Sequence, residues 1–325
     1  MSKVRIGICG WGNLGKSTAT EIVNFPDFEL VAIFTRRNPG DLEIGLDVPV
    51  IHMDSILDWK NKIDVMMLCG GSKKDLPKQA PELAKHFNTV DSYDTHTEIS
   101  DFLKAVDSSA KLGNNISVIS TGWDPGIFSI LKLYMGEIVP TGKTYSFWGP
   151  GLSQGHTNAI KQIEGVENAV QYTIPIESAM DLVRSTKNPD LAAKEKHERI
   201  CYVVAKEPEQ ERIAEEIKQI PLYFADYDTV VNFVSNEELE KNHSKLMHGG
   251  NVIHTGKTGN NNKQVVEFSL KLDSNPEFTA SVLLAYARAT YKLSQKGQTG
   301  ARTVFDIPPI LLTNSPTEEI IRNLL

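Results

Sequence analysis

The sequence predicts two domains: an α/β domain on a parallel sheet, then an α+β domain with a mixed sheet. Three observations carry this expectation. At 325 residues the chain is long enough for two domains of ordinary size. From the N-terminus to about residue 121, strand-like and helix-like segments alternate, as right-handed crossovers around a parallel sheet require. Beyond that point strands dominate, and the Gly- and Asn-rich stretch 256–262 between two apolar runs reads as a hairpin turn.

The elements follow in order. Val4–Cys9 is short, apolar and β-branched, a buried strand ending in glycines. Lys16–Asn24 has helical spacing, with Ala19, Ile22 and Val23 on one face. Phe28–Phe34 and Asp64–Cys69 are further strands, the latter running into Gly70-Gly71-Ser72. Pro77–Phe87 reads as helix, Thr89–Asp91 as strand, Thr97–Leu112 as helix and Asn115–Ser120 as strand. Asp124-Pro125 has the look of an N-cap and a first-turn proline, opening a helix that reaches about Val139. Strands are then expected at Thr144–Trp148, Ala169–Pro175, Ile200–Ala205 and Thr229–Val234, with helices at Ser178–Arg184 and Pro208–Gln219. Pro276–Gln295 is a long helix, and Val304–Leu312 reads as a strand before a short tail helix. The first domain then takes residues 1–121, with a C-terminal segment from about 300 to 325 returning to it. The second takes 122–299.

Composition removes several classes of function. Thirty-four basic against 41 acidic residues give a net charge of −7 with no basic stripe, which argues against nucleic acid as a partner. Three widely spaced cysteines, Cys9, Cys69 and Cys201, suit neither a disulfide framework nor a zinc site. No apolar run approaches the roughly 20 residues of a membrane span, and the chain enters its first strand without a signal-peptide core, so a cytoplasmic setting is expected. Neither H-x-x-x-H nor H-E-x-x-H occurs, so no catalytic metal is expected.

The most specific motif is Gly10-Trp11-Gly12-Asn13-Leu14-Gly15, between the first strand and the first helix. Gly10 permits a tight turn, Gly12 lets a pyrophosphate approach the backbone, and Gly15 lets helix and strand pack closely. The helix N-terminus behind Asn13 and Leu14 offers N–H groups to phosphate. This is a Rossmann-type dinucleotide site, and Gly70-Gly71-Ser72, at the end of another parallel strand, joins it. At the end of the second strand Thr35-Arg36-Arg37 stands where an acid would hold a ribose 2′-hydroxyl, with no acid between Val31 and Asn38. Arginine grips a 2′-phosphate, so the expected cofactor is NADP(H).

Other polar clusters remain. Asp91-Ser92-Tyr93-Asp94 and Ser120-Thr121-Gly122-Trp123-Asp124-Pro125-Gly126 end two parallel strands, so Asp94 and Asp124 can face one cleft and suit a cationic ammonium group. Phe147 to His156, rich in glycine, suits a pocket wall. Arg199 and His248 can each clamp a carboxylate. Taken singly, each also reads as an ordinary surface or packing residue.

Across essentially its whole length the sequence resembles the meso-diaminopimelate D-dehydrogenase family, through the glycine loop, Ile33–Arg37, Asp91–Asp94, Ser120–Gly126, Phe147–His156 and His248-Gly249-Gly250. The resemblance implies a homodimer with a dimerisation and substrate domain. Its activity would be NADP+-dependent oxidation of the D-centre of meso-2,6-diaminopimelate to L-2-amino-6-oxopimelate and ammonia, in lysine and cell-wall precursor synthesis. It assigns Asp94 and Asp124 to the reacting amino group and Trp123 and Trp148 to the pocket lining. Gln154 and Gly155 go to the near carboxylate, and Thr173, Arg199, His248 and Asn275 to the far L-centre. Two rivals stay open: another NADP-dependent oxidoreductase of the same architecture, acting on an amino acid or in the lysine pathway, and a non-catalytic NADPH-binding regulator.

Overall fold

The structure, a computed structural model, describes residues 3–221, 223–243 and 245–325, with the backbone but not the side chain of residue 154. The chain packs into two compact units. One comprises the residues up to Ile130 together with Pro276–Leu325, and the other is Leu131–Asn275.

In chain order the first unit holds β1 (Val4–Cys9), α1 (Asn13–Glu21), β2 (Phe28–Thr35), β3 (Val50–His52), β4 (Val65–Leu68), α2 (Leu76–Ala84), β5 (Thr89–Asp91), α3 (Ile99–Leu112) and β6 (Ile116–Val118). The helix α4 (Ile127–Ile138) leads into the second unit, which contains β7 (Lys143–Trp148), β8 (Gly151–Leu152), α5 (Gln154–Ile160), β9 (Val166–Pro175), α6 (Glu177–Arg184), α7 (Ala193–Lys196), β10 (His197–Ala205), α8 (Gln210–Gln219), β11 (Asp228–Phe233), α9 (Asn236–His243), β12 (His248–Thr258) and β13 (Asn262–Leu272). The chain returns to the first unit through α10 (Asn275–Ser294), β14 (Gly300–Arg302) and α11 (Thr317–Leu324).

Seven strands of the first unit form one parallel sheet, ordered β14-β6-β5-β4-β1-β2-β3. Alternate residues feed two cores. Ile6, Ile8, Val65 and Met67 pack on one face with Ala19 of α1 and Leu283, Tyr286 and Ala287 of α10. Met66 and Leu68 pack on the other with Leu76 and Ala80 of α2 and Phe102 and Val106 of α3. A parallel sheet covered on both faces explains why its strands read as unbroken apolar runs. The second unit has two sheets: a mixed one ordered β11-β10-β9-β8, with β10–β11 parallel and β9 antiparallel to both β10 and β8, and an antiparallel one ordered β13-β12-β7.

Four local expectations fail for identifiable reasons. Val23 is 76% exposed, because α1 stops at Glu21 and the tighter 3-10 turn Ile22–Asn24 rotates it away from the core. Asp124 is not the N-cap of α4, which starts at Ile127 after a turn closed by Ile127 N–H to the Gly122 carbonyl at 3.1 Å. Val304–Leu312 forms two 3-10 turns, since Pro308 and Pro309 donate no ladder hydrogen bonds. The strand of this region is instead Gly300–Arg302, parallel to β6. The long helix, expected with the second domain, belongs from Pro276 onward to the first unit: Ala280, Leu283, Leu284, Ala287 and Ala289 are wholly buried, and Leu283 and Ala287 pack in the core around β1. The short edge strand β3 was not foreseen.

Candidate functional site

The nucleotide loop is built from backbone. Gly10 has φ +108°, reached cheaply only by glycine, and its N–H donates to the Phe34 carbonyl at 2.9 Å. A Cβ on Gly15 would stand 2.0 Å from the Gly10 carbonyl oxygen, so the close passage of α1 over the loop requires glycine there. Gly12 is different. It is exposed, its φ is −92°, and a Cβ would meet nothing within 4 Å. The protein's own packing does not need a glycine at 12, but a pyrophosphate laid against the backbone does. The N-terminus of α1 carries no acid in its first turn and no side-chain cap, which leaves its N–H groups for an anion.

A cavity of about 350 Å³ opens beside this loop. It brings together Gly10, Gly12, Thr35, Arg36, Arg37, Gly70 and Gly71 of the expected cofactor set, and adds Trp11, Met53, Asp75 and Gln79. Asn13, Leu14, Gly15 and Ser72 do not line it. Arg37 donates to the Trp11 carbonyl at 2.5 Å, and its N–H reaches Thr35 Oγ1 at 3.1 Å. Arg36 is 69% exposed and pairs with Asp75 at 2.8 Å, while the other Asp75 oxygen accepts the Gly71 N–H at 2.9 Å. Asp75 went unread in the sequence; its place just before Leu76-Pro77 at the start of α2 was the available signal. The donors fit a dinucleotide with an extra phosphate: unused helix N–H groups, a glycine reserved for close approach, and two guanidinium groups at the end of β2. The three cysteines are free and buried, and burial pushes each thiol up to about 12.

Asp94 and Asp124 also lie in the first unit. Asp94 is exposed beyond β5, and its N–H donates to Ser72 Oγ at 3.1 Å. Asp124 is half-buried beside Trp123, whose ring meets Phe128 edge-on at 5.2 Å. Both segments hang on Asp91, which accepts the N–H groups of Tyr93 at 2.9 Å and Ser120 at 3.0 Å on one carboxylate oxygen.

In the second unit, Arg199 on β10 stands opposite Thr173 on β9 and donates to its hydroxyl. The Arg199 guanidinium lies 3.9 Å from the centre of the Tyr227 ring. Only 5% of Arg199 is exposed, its Nε lacks a partner, and no carboxylate of the described residues pairs with it. Burial pulls the guanidinium below its usual range, partly offset by Tyr227. His248 opens β12, packed so tightly on Gly151 that a Cβ there would stand 2.5 Å from the ring. Burial lowers it, so it is neutral near pH 7. Its Nδ1 lies 2.8 Å from the Gly249 nitrogen and 3.1 Å from the Gly249 carbonyl oxygen, so it meets both backbone groups of that residue. A neutral His248 can meet a carboxylate by a hydrogen bond, with less charge than Arg199 brings. The fields of both Arg199 and His248 reach His156, whose own pKa is pushed down to about 3, chiefly by burial.

Trp148 ends β7, and its N–H donates to His197 Nε2 at 2.8 Å, with the two rings stacked at 5.2 Å. Gly155 lies in the exposed first turn of α5, and the Gln154 side chain is outside the described residues. Asn275 starts α10, with its N–H on the Leu246 carbonyl at 2.9 Å. His197 and Tyr227 were missed; neither carries a motif, and only the folded sheet puts them beside Trp148 and Arg199. Among the described residues no group of three His, Cys, Asp or Glu side chains could hold a metal ion, and no helix is long and apolar enough to cross a membrane.

Comparison with known proteins meets this geometry from outside. Residues 122–274 match the model of the diaminopimelic acid dehydrogenase C-terminal domain. The meso-diaminopimelate D-dehydrogenase of Ureibacillus thermosphaericus is 53% identical, covering 100% of both chains. The crystal structure of a meso-diaminopimelate dehydrogenase mutant from Clostridium tetani, with DAP, is 48% identical at TM-score 0.95, covering 99% of this chain and 100% of that one. An engineered D-amino acid dehydrogenase bound to NADP+ is 39% identical at TM-score 0.89, covering 100% of both chains. With such identity along its full length, and with the loop, the arginines and the buried Arg199 in place, the chain belongs to the meso-diaminopimelate D-dehydrogenase family.

Proposed function

We propose that the protein catalyses the reversible, NADP-dependent oxidative deamination of the D-centre of meso-2,6-diaminopimelate, giving L-2-amino-6-oxopimelate, ammonia and NADPH. The observation that carries this reading is Arg199, a buried guanidinium held by a hydroxyl and an aromatic face but facing no acid of the described residues. A buried cation without a counter-ion is costly, and a ligand carboxylate would supply the missing partner.

The glycine loop, the start of α1 and the β2 arginines would hold NADP(H), which supplies a hydride acceptor for the D-centre carbon. Arg36 and Arg37 would take the 2′-phosphate. Gly70, Gly71 and Ser72 would complete the cofactor's surroundings. Asp94 and Asp124 hold the reacting ammonium group by charge and receive or return its protons as it turns to imine. Trp123 and Trp148 exclude water from the apolar chain of the substrate. Gln154 and Gly155 meet the near carboxylate. Arg199, His248, Thr173 and Asn275 hold the distal L-centre, Arg199 by charge and the others by hydrogen bonds. The acids suit an ammonium group and Arg199 a carboxylate, the two kinds of charged group that the substrate carries. Water then hydrolyses the imine. In the aminating direction the reaction would serve lysine and cell-wall precursor synthesis, in the cytoplasm and in a homodimer formed through the second unit.

Purified protein is mixed with NADP+ and separately with meso-, L,L- and D,D-diaminopimelate, and NADPH absorbance is followed. NADPH should form with the meso isomer and none with L,L, which has no D-centre. Folded protein that gives no NADPH with the meso isomer, or equal rates with L,L, overturns the reading.

A further inference from the structure

We propose that Asp91 is a positioning residue, which holds the Asp94 segment and the Trp123–Asp124 segment at the spacing the reacting amino group needs. This rests on the reading of Asp94 and Asp124 given above. Asp91 is the last residue of β5 and is wholly buried. Its Oδ1 accepts two backbone N–H groups from opposite sides, Tyr93 at 2.9 Å and Ser120 at 3.0 Å. Its carbonyl oxygen accepts two more hydrogen bonds, from Thr121 N–H at 2.9 Å and Thr121 Oγ1 at 3.0 Å. One residue thus gathers four donors, three of them from a segment about 30 positions downstream.

The need for such a tie follows from the sheet. β5 and β6 pair through Thr89–Ser117 and Val90–Val118, and the ladder stops before Asp91. Ile119 N–H turns away to the Arg302 carbonyl on β14. Beyond that point Asp91 continues the connection between the two strand ends. Ser120 sits at φ +56°, the left-handed region, which a non-glycine residue adopts only against steric strain. That kink presents its N–H to the Asp91 carboxylate. On the other side Tyr93 is pinned by stacking on Phe102 at 3.9 Å and by its hydroxyl on Glu98, and Asp94 follows at once.

The arrangement is not the one stability alone would select. Asp91 Oδ2 and Ser120 Oγ are both buried without a hydrogen-bond partner among the described residues. Burial pushes the Asp91 carboxyl up to about 6, against the pull of its two backbone hydrogen bonds. A polar group kept at such a cost, with one oxygen engaged by both acid-bearing segments, is explained by the geometry it imposes.

The test uses the full-length enzyme, with kcat for meso-diaminopimelate expressed per NADP+-binding site and NADP+ affinity measured by fluorescence titration. Asp91→Ala removes the tie, and kcat should fall about 100-fold, the scale of a displacement of about 1 Å, with NADP+ affinity within about threefold. Asp91→Asn keeps an acceptor for both N–H groups and should restore kcat to within about tenfold of the wild type. Loss of stability alone would lower the number of binding sites and leave kcat per site unchanged. Unchanged kcat per site in Asp91→Ala, or no recovery in Asp91→Asn, overturns the proposal. If Asp91→Ala does not fold, Thr121→Val decides: it deletes one of the four ties, and kcat per site should fall about fivefold, whereas a wild-type value overturns the proposal. Asp94→Asn and Asp124→Asn separate the two levels. If both retain activity, the reading of the acids is wrong and Asp91 has nothing to position. If both lose it while Asp91→Ala does not, only the role of Asp91 fails.

Discussion

Two arginines, one in each unit, stand in opposite surroundings. Arg36 stands 69% exposed at the end of β2 and already has a partner, Asp75 at 2.8 Å. Arg199 is 5% exposed on β10, rests on a hydroxyl and an aromatic ring, and has no acid among the described residues. The exposed, paired arginine is screened by water, and a ligand must compete with Asp75 for it, so its contribution to binding is modest. The buried one has already lost its hydration, so a carboxylate that reaches it meets a charge with nothing else to neutralise it. The loop of the first unit offers mainly backbone, in glycines and helix N–H groups, whereas the candidate residues of the second unit are side chains fixed by sheet packing.

The largest effect expected from this contrast is at Arg199. Arg199→Met should lower kcat/KM for meso-diaminopimelate by about 100- to 1000-fold, as a buried carboxylate is left unpaired. Small D-amino acids have no distal carboxylate to lose and should fall by less than about tenfold. Their ratio in parallel assays cancels any loss of folded enzyme, and an equal fall for both would make Arg199 a structural residue.

Two glycines test the backbone half. Gly15→Ala forces a Cβ against the Gly10 carbonyl and should cost about 2–4 kcal/mol in a denaturant melt. Gly12→Ala meets no protein atom, so the melt should stay within about 0.5 kcal/mol while NADP+ affinity drops roughly tenfold or more. If Gly12→Ala binds NADP+ as well as the wild type, the pyrophosphate does not lie against that residue.

The smallest effect is a pH signature at Asp91. Its carboxyl, raised from 3.8 to about 6 by burial, binds more protons in the native state than in the unfolded state between those values. Stability therefore falls as pH rises through that window, and the cost is complete above it. Asp91→Asn lacks this titration. Its stability relative to the wild type should improve by about 1 kcal/mol between about pH 5 and about pH 8, read as the difference of urea midpoints. A difference that does not move with pH would mean the carboxyl titrates normally.

How much of this was legible in the sequence follows the same division. The nucleotide loop could be read because glycine spacing encodes backbone geometry, and Gly10 and Gly15 do what that spacing requires. The parallel sheet could be read because burial on both faces leaves apolar runs. Errors arose where one residue suits two local structures. Asp124-Pro125 looks like a cap but lies in a turn before α4, and the β-branched start of Val304–Leu312 is overruled by two prolines. In the second unit the strands were legible but the side-chain partnerships were not. Arg199 meets Tyr227 from the neighbouring strand end, and Trp148 meets His197 across 49 positions, neither announced by any spacing. Asp91 was visible only as part of a polar cluster, since nothing in the sequence shows that Ser120 turns back toward it.

The central claim is that the two arginines read two different ligands, and a titration of NADP+ alone tests it most directly. Wild type, Arg36→Ala and Arg199→Met are titrated under one set of conditions with no diaminopimelate present, and the Kd values are compared. Arg36→Ala should weaken NADP+ about tenfold and leave NAD+ nearly unchanged, the scale of one charged contact. Arg199→Met should bind NADP+ within about threefold of the wild type. A large loss of NADP+ affinity in Arg199→Met, or none in Arg36→Ala, would contradict the account.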